Sequence, residues 1–379
     1  MGQTWGVQKI GLTYSLDADD ADALIHNPLI DLLQAVHASG SISGAARALG
    51  LSYRHIWGEL RRWEQRLGQP LVLWERGRPA RLSGFGDKLL WSERQAQARA
   101  APQIEALRAE LARSFAVAFD DQAHVLSFHA SHDDALTALR KHLTAQPMTP
   151  RLHLDIRFIG SVDAIQALNQ GRCIMAGFHT PREAPVGSLA ERTYKPLLQP
   201  GLHKLIGFAS RVQGLMVRPG NPRGITGLAD LTRPGLRFVN RAHGTGTRVL
   251  LDELLAQAGI DAGRVVGYQH SEPSHAAVAQ AIAAGHAEVG LGIEAAARAR
   301  GLGFVPLVEE DYHLVCLKSA LDEPPVAALR QVLRSSAWQQ ALHGLPGYRA
   351  THAGEVRALT TVLPWWRFTR AKPASKRTR

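Results

Sequence analysis

Cysteine is nearly absent. Cys173 and Cys316 are the only two in 379 residues, too few for a disulfide framework, which fits a reducing compartment. No stretch reaches the roughly 20 apolar residues that a membrane helix needs, so no spanning segment and no membrane partner is expected. No basic segment followed by an apolar run opens the chain, so no secretory signal is expected and the chain reads as cytoplasmic. The marks of several enzyme classes are missing too. There is no G-x-S-x-G elbow, no P-loop and no H-E-x-x-H pair, which argues against an enzyme. Acid is in deficit: 33 Asp and Glu against 44 Lys and Arg leave a formal net charge of +11. Such an excess points to a polyanionic partner, most simply nucleic acid.

What is present has the make-up of a globular protein, long enough for two or three cores. Residues 1–27 read as a polar arm with an acidic cluster at Asp17, Asp19, Asp20 and Asp22. From Pro28 the pattern turns helical, with Leu29, Leu32, Leu33 and Val36 at helix spacing and Gly40 as a stop. Ser41 is a cap for a short second helix closed by Gly50, and Ser52 caps a third. There Ile56, Leu60, Trp63 and Leu67 share one face, while Tyr53, Arg54, His55, Arg61, Arg62 and Arg66 lie opposite.

Two short helices around a glycine turn, the second basic and polar in its first turn, match a DNA-reading helix-turn-helix. Arg54 offers paired donors to guanine, and Tyr53 and His55 reach bases or phosphates. Leu71–Trp74 reads as a strand and Leu82 begins its return. The turn between holds Arg76, Arg78 and Arg81, the chemistry of a phosphate-binding wing. A plain helical bundle with a solvated basic face is the alternative. Gly40-Ser41-Ile42-Ser43-Gly44-Ala45-Ala46-Arg47-Ala48-Leu49-Gly50-Leu51-Ser52, followed by Leu60, Glu64, Leu67-Gly68, Pro70-Leu71-Val72 and Arg76, resembles the winged helix-turn-helix of LysR-type regulators. Ser52-Tyr53 with Trp57 resembles the molybdate-responsive ModE branch, although the wing tip Gly77-Arg78-Pro79 is short for it. The resemblance implies an all-α winged helix-turn-helix over 28–85 on double-stranded operator DNA, with Arg47, Ser52, Tyr53, Arg54, His55, Arg62, Arg76, Arg78 and Arg81 as its contacts.

Residues 86–118 read as one long helix with Pro102 inside. Leu89, Leu90, Ile104, Leu107 and Leu111 form an apolar stripe that the same helix of a second chain would bury, giving a homodimer or homotetramer. Packing on the chain's own C-terminal domain is the alternative.

From Val125 strands and helices alternate, which implies a mostly parallel sheet with a crevice at the strand ends. Ser131, His132, Ser161, His179 and Thr180 fall at such ends. Gly235–Val239 reads as a buried strand, and Val249–Leu255 as a helix. Between them Asn240-Arg241-Ala242-His243-Gly244-Thr245-Gly246-Thr247-Arg248 makes an anion nest. Gly244 and Gly246 let backbone N–H groups converge, Thr245 and Thr247 add hydroxyls, and Arg241 and Arg248 add charge. Val265–Tyr268 reads as the next strand and His275 as the start of a helix. His132, His179 and His275 share no short metal-ligand spacing and no carboxylate pairs with them, so no metal is expected.

Ser131-His132-Asp133, Gly160-Ser161, Ala176-Gly177-Phe178-His179, Gln213-Gly214-Leu215, Gly220-Asn221-Pro222, the 240–248 stretch, His275 with Ala277-Val278-Ala279, and Gly290-Leu291-Gly292 resemble the periplasmic-binding-protein-like domain tied to molybdate and molybdenum-cofactor metabolism. The resemblance implies an α/β, two-lobed type II domain over 119–369, with one lobe at 119–212 and 312–369 and the other at 213–311. It implies a sensor with no cofactor, whose small anionic effector is molybdate, tungstate, a molybdopterin species or a small carboxylate such as formate. A cofactor-processing or carrier protein with an appended DNA-binding domain is the second reading. Residues 370–379 read as a disordered basic tail.

Overall fold

The computed structural model describes residues 27–74, 79–119, 123–145, 151–182 and 184–366. The N-terminal arm, Arg76, Arg78 and the basic tail lie outside the described residues. The first helix, α1 (Pro28–Ser39), starts where the Asn27 side chain accepts from the Leu29 amide at 3.1 Å, and stops at Gly40 in the left-handed region. Ser41 caps α2 (Ile42–Ala48) by accepting from the Gly44 amide, and Ser52 caps α3 (Tyr53–Leu67) by accepting from the His55 amide. Both are N-cap bonds of the kind that fix where a helix begins. The strands β1 (Val72–Leu73) and β2 (Arg81–Leu82) pair antiparallel as the wing. Leu33, Val36, Ala45, Ile56, Leu60, Leu71 and Leu82 form the core, sealed by Leu90 of α4 (Gly84–Phe119). A Cβ on Gly86 would stand 2.3 Å from the Leu71 carbonyl oxygen, so α4 meets the wing only through a glycine.

Helix α4 runs through Pro102. Its stripe was expected to face a second chain. A different flank, carrying Gln95, Ala98, Arg99 and Glu105, lies on the chain's own α/β domain, while Leu90 of the stripe is buried in the core of the winged domain. The reason is in its polar residues, which find buried partners there. Leu107, Phe115 and Phe119 stay exposed on the helix.

The α/β domain follows as β3 (His124–Ala130), α5 (Asp134–Ala145), β4 (Leu152–Phe158), α6 (Ser161–Asn169), β5 (Met175–Pro181), α7 (Leu189–Tyr194), β6 (His203–Val217), β7 (Phe238–Arg241), α8 (Gly246–Gln257), β8 (Ser271–Glu272), α9 (His275–Ala283), β9 (Val289–Ile293), α10 (Glu294–Arg298), β10 (Gly303–Leu317), α11 (Pro324–Arg334), α12 (Ser336–His343), β11 (Tyr348–Ala350), β12 (Val356–Ala358) and α13 (Leu359–Val362). The path β4-β3-β5-β10-β6-β9-β7-β8 runs through one ten-stranded sheet, with β11 and β12 also on β6. In the first lobe β3 pairs parallel with β4 and β5; in the second β7 pairs parallel with β8 and β9. The long antiparallel strands β6 and β10 join them. One end of β10 pairs with β5, and the far end of β6 pairs with β9. Two half-sheets joined by two shared strands make a hinge.

Two local expectations fail. Strand β7 begins at Phe238, not Gly235, and carries Asn240 and Arg241 inside it, so the turn is only 242–245. Val265–Tyr268 is not a strand. Gly267 is left-handed, and a Cβ there would stand 2.1 Å from the Phe238 carbonyl oxygen. The segment passes β7 as successive turns, lending its backbone amides the Val266 and His270 carbonyls and the Asn240 side chain the Tyr268 carbonyl.

Candidate effector cleft

Three helices begin at the cleft between the lobes. Helix α6 starts at Ser161 after Gly160, with no side-chain cap. Helix α8 starts at Gly246, and α9 at His275. The first N–H groups of a helix have no partner within it, and they carry partial positive charge. Their side chains meet: Thr247 Oγ1 lies 3.4 Å from His275 Nε2, and Ser161 Oγ lies 3.1 Å from Ser131 Oγ of the β3–α5 turn. The lobes touch here. A Cβ on Gly160 would stand 2.8 Å from the Gly244 carbonyl oxygen, and one on Gly246 would stand 3.4 Å from His179 Cβ.

The hinge strands add a buried charge network. Arg211 donates through Nη1 to Asp133 Oδ2 and through Nε to Glu310 Oε2 at 3.1 Å. Asp133 also accepts from the Tyr348 hydroxyl at 3.0 Å and from the Ala135 amide at 2.8 Å, and His179 Nε2 lies 3.5 Å away. Gln213 Nε2 donates to Glu310 Oε2 at 2.8 Å and to Thr247 Oγ1 at 2.9 Å, tying hinge to nest. Burial alone would raise the Asp133 carboxyl; Arg211 and His179 outweigh it and hold the group below the usual carboxylate range. Burial followed by the Arg211 charge pushes His179 down. Burial, then Arg241 and Arg211, pushes His275 well below the ordinary imidazole value. Both rings are therefore neutral at neutral pH, able to accept as well as donate.

Arg241 differs from Arg211. It is 1 % exposed, it donates from Nη1 only to the Glu272 carbonyl at 3.3 Å, and its Nε has no partner. Among the described residues no carboxylate lies within ion-pair distance of it. Burial first, then Arg211, pushes its guanidinium down to about 9.

The other residues singled out from the sequence sort as follows. Ser131, Ser161, His179, Arg241, Gly244, Gly246, Thr247 and His275 surround the interlobe space. Arg248 turns into its own lobe: Nε lies 3.3 Å from Asp252 Oδ1, and the guanidinium stacks 4.0 Å over Tyr268. Thr245 is consumed as the α8 cap, donating to the Ala242 carbonyl at 2.8 Å. Thr180 faces the other side of β5, bonded to His313 Nε2 at 3.0 Å, because strand side chains alternate and His179 takes the cleft face. His132 lies 3.7 Å from Glu105 on α4 and packs on Phe158. His132 and His179 thus both face carboxylates, contrary to expectation. Arg211, Glu310, Tyr194 and Tyr348 went unread, and Gln213 was picked out only as part of the family resemblance. The available signal was Arg211 and Gln213 inside the largely apolar stretch 205–217 of β6.

In the winged domain Arg47, Tyr53, Arg54, His55 and Arg81 are exposed. Ser52 spends its hydroxyl on the α3 cap, and Arg62 pairs with Glu59 at 2.9 Å. Glu64 Oε1 accepts from the Leu71 and Val72 amides and fixes the wing to α3.

Residues 141–334 match the model described as the PBP superfamily domain, and residues 29–87 match that of the lysR family of bacterial regulatory helix-turn-helix proteins. The chain is similar to the protein YvgK of Bacillus subtilis (strain 168), 33 % identical over 227 residues, which are 60 % of this chain and 72 % of that one. It is also similar to the HTH-type transcriptional regulator CbbR of Cereibacter sphaeroides, 26 % identical over 257 residues, 67 % of this chain and 74 % of that one. Among solved structures, a mutant of Corynebacterium glutamicum OxyR aligns with a TM-score of 0.42 and 17 % identity over 83 % of this chain and 93 % of that one.

Proposed function

From a chain that belongs to the PBP superfamily and carries a LysR-family helix-turn-helix, we propose a DNA-binding regulator switched by a small tetrahedral oxyanion of the molybdate and tungstate class. The observation that carries the reading is Arg241: a buried cation with no counter-ion among the described residues, beside the N-termini of α8 and α9. Leaving a charge buried and unpaired costs several kcal/mol, so an anion entering that space is strongly favoured. Ser131, Ser161 and Thr247 supply hydroxyls and the helix starts supply N–H groups, the donors that hold oxyanions. The close approach of Gly160 to Gly244 favours a small anion over a molybdopterin, which needs the lobes further apart. Ligand between the lobes shifts the hinge equilibrium toward the closed form.

The test is a melting-point series with molybdate, tungstate, sulfate, formate and a molybdopterin. A ligand that binds only the folded state raises the melting point once above its dissociation constant. A rise with molybdate or tungstate is the expected result; no rise with any oxyanion overturns the reading. On the DNA side, Arg54→Ala lowers operator affinity by about 1–3 kcal/mol if its side chain reads a base pair. Leu107, Phe115 and Phe119 on the free flank of α4 suit pairing with a second copy, which light scattering checks.

A further inference from the structure

Helix α4 joins the DNA-binding domain to the sensor, yet it does more than lead from one to the other. It is bonded to both lobes. On the second lobe Arg99 makes a two-pronged ion pair with Glu272, at 2.8 Å from Nε and 2.6 Å from Nη2. One turn away Ser274 Oγ donates to the Ala98 carbonyl at 3.2 Å, and Gln95 Nε2 donates to the Ala277 carbonyl at 3.3 Å. On the first lobe Glu105 accepts from Thr137 Oγ1 at 3.0 Å and lies 3.7 Å from His132 Nε2, while Arg140 Nη1 donates to the Glu105 carbonyl at 2.8 Å. Burial would raise the Glu105 carboxyl, but His132 and Arg140 hold it below its ordinary value.

We propose that α4 is an interlobe clamp that senses cleft closure directly: its 98–99 step grips the lobe of the anion nest and its Glu105 step grips the opposite lobe. The two grips are 7 residues apart on one helix, about 10 Å along the axis. A helix does not stretch, so both grips hold together only at one lobe separation. Opening the cleft must break one of them. The grips also sit beside the cleft. Glu272 takes the Arg241 guanidinium on its carbonyl and precedes Ser274 and His275; His132 follows Ser131. Closure on a ligand and the pose of α4, hence of the winged domain sealed onto it through Leu90, are then one equilibrium. Coupling of this kind is reciprocal, so operator DNA also biases the cleft.

The proposal rests on the two-lobe hinge but not on which ligand it holds, and its test needs no effector. Nitroxide labels go on Gln166→Cys in α6 and Ala258→Cys after α8, both exposed and in opposite lobes. The native Cys173 and Cys316 are buried and do not compete. The interlobe distance distribution is then read by pulsed electron paramagnetic resonance in the full chain, with Arg99→Gln, Glu105→Gln and Arg99→Lys added in turn. The unaltered grips give a single narrow, short distance. Arg99→Gln and Glu105→Gln each give a broader distribution shifted to longer distance, and Arg99→Lys, which keeps one bond, falls between. Distributions unchanged in both Gln variants, with melting points preserved, overturn the clamp while leaving the oxyanion reading intact. A clamp that loosens as expected alongside no oxyanion-induced melting shift overturns the ligand and leaves the clamp.

Discussion

Two arginines lie buried in the same cleft, and the structure treats them oppositely. Arg211, in the hinge strand β6, is closed in by Asp133, Glu310 and the Tyr348 hydroxyl that shares Asp133. The start of α5 is also occupied, because Asp133 accepts from the Ala135 amide. Among the described residues Arg241, at the end of β7 in the other lobe, has only a backbone carbonyl, and the starts of α8 and α9 beside it meet no carboxylate. A saturated cation is scaffold, since its charge was answered when the chain folded. An unanswered one is a receptor, because the anion that completes it must come from outside. Both are buried arginines on strands that border the cleft, Arg211 midway along β6 and Arg241 at the end of β7, so neighbours, not residue type, decide the role.

The comparison is broken most severely at Arg211. Arg211→Met leaves Asp133 and Glu310 as uncompensated buried carboxylates, and the folded state loses about 3–5 kcal/mol. Urea unfolding reads this directly; a variant as stable as the parent would mean the network is no scaffold. Arg241→Met should do the reverse. Removing a buried charge that has no partner leaves the ligand-free protein as stable or more so. Oxyanion affinity meanwhile falls by about 2–5 kcal/mol, at least 30-fold. Calorimetric titration with molybdate checks the affinity and urea unfolding the stability. Equal losses of stability in the two variants would erase the distinction drawn here.

Much of this was legible without coordinates. Caps at Ser41 and Ser52, the stop at Gly40 and the strand-turn-helix around 240–248 are local chemistry, and local chemistry is written in adjacent residues. The Arg211 network is not. Its members lie 78 and 99 positions apart, brought together only by the hinge crossing. Arg211 was nonetheless visible as a charge in an apolar strand, a placement that demands a buried partner. The error over Arg248 is instructive in another way. Four residues on, Asp252 stands on the same helix face, so an i,i+4 pair competed with any ligand for that guanidinium. Thr180 was misplaced because strand ends were counted without assigning their two faces, and Val265–Tyr268 because an apolar run was read past a left-handed Gly267. Glu105 escaped notice since its partners, His132 and Arg140, belong to another domain.

A gentler probe is pH. Burial, then the neighbouring His179 charge, takes His313 from the usual 6.5 down to about 3. Between those values the unfolded imidazole holds a proton that the folded one refuses, so stability falls as pH falls through that window. For this one ring the loss from pH 7 to pH 5 is about 2 kcal/mol, with His179 and His275 adding in the same direction. Urea unfolding at the two pH values measures it. His313→Gln should flatten the slope, since His313 lies on the non-cleft face with Thr180, while leaving molybdate affinity at pH 7 unchanged. A slope unaltered by the substitution would place the acid sensitivity elsewhere.

The smallest effects divide the two threonines of the nest along the same line as the two arginines. Thr245 is answered from within, donating to the Ala242 carbonyl and accepting from the Arg248 amide at 3.4 Å. Thr247 instead faces the cleft, held between Gln213 and His275. Thr245→Ala should therefore cost about 1 kcal/mol of stability, the usual loss of a helix cap, and little affinity. Thr247→Ala should show the opposite balance, a loss of about 1 kcal/mol in oxyanion binding, roughly fivefold, with a smaller change in unfolding. Measured side by side by titration and urea unfolding, the pair separates hydroxyls that build the nest from those that serve its ligand. An affinity loss that follows Thr245 in place of Thr247 would move the binding locus from the cleft face of α8 to the turn before it.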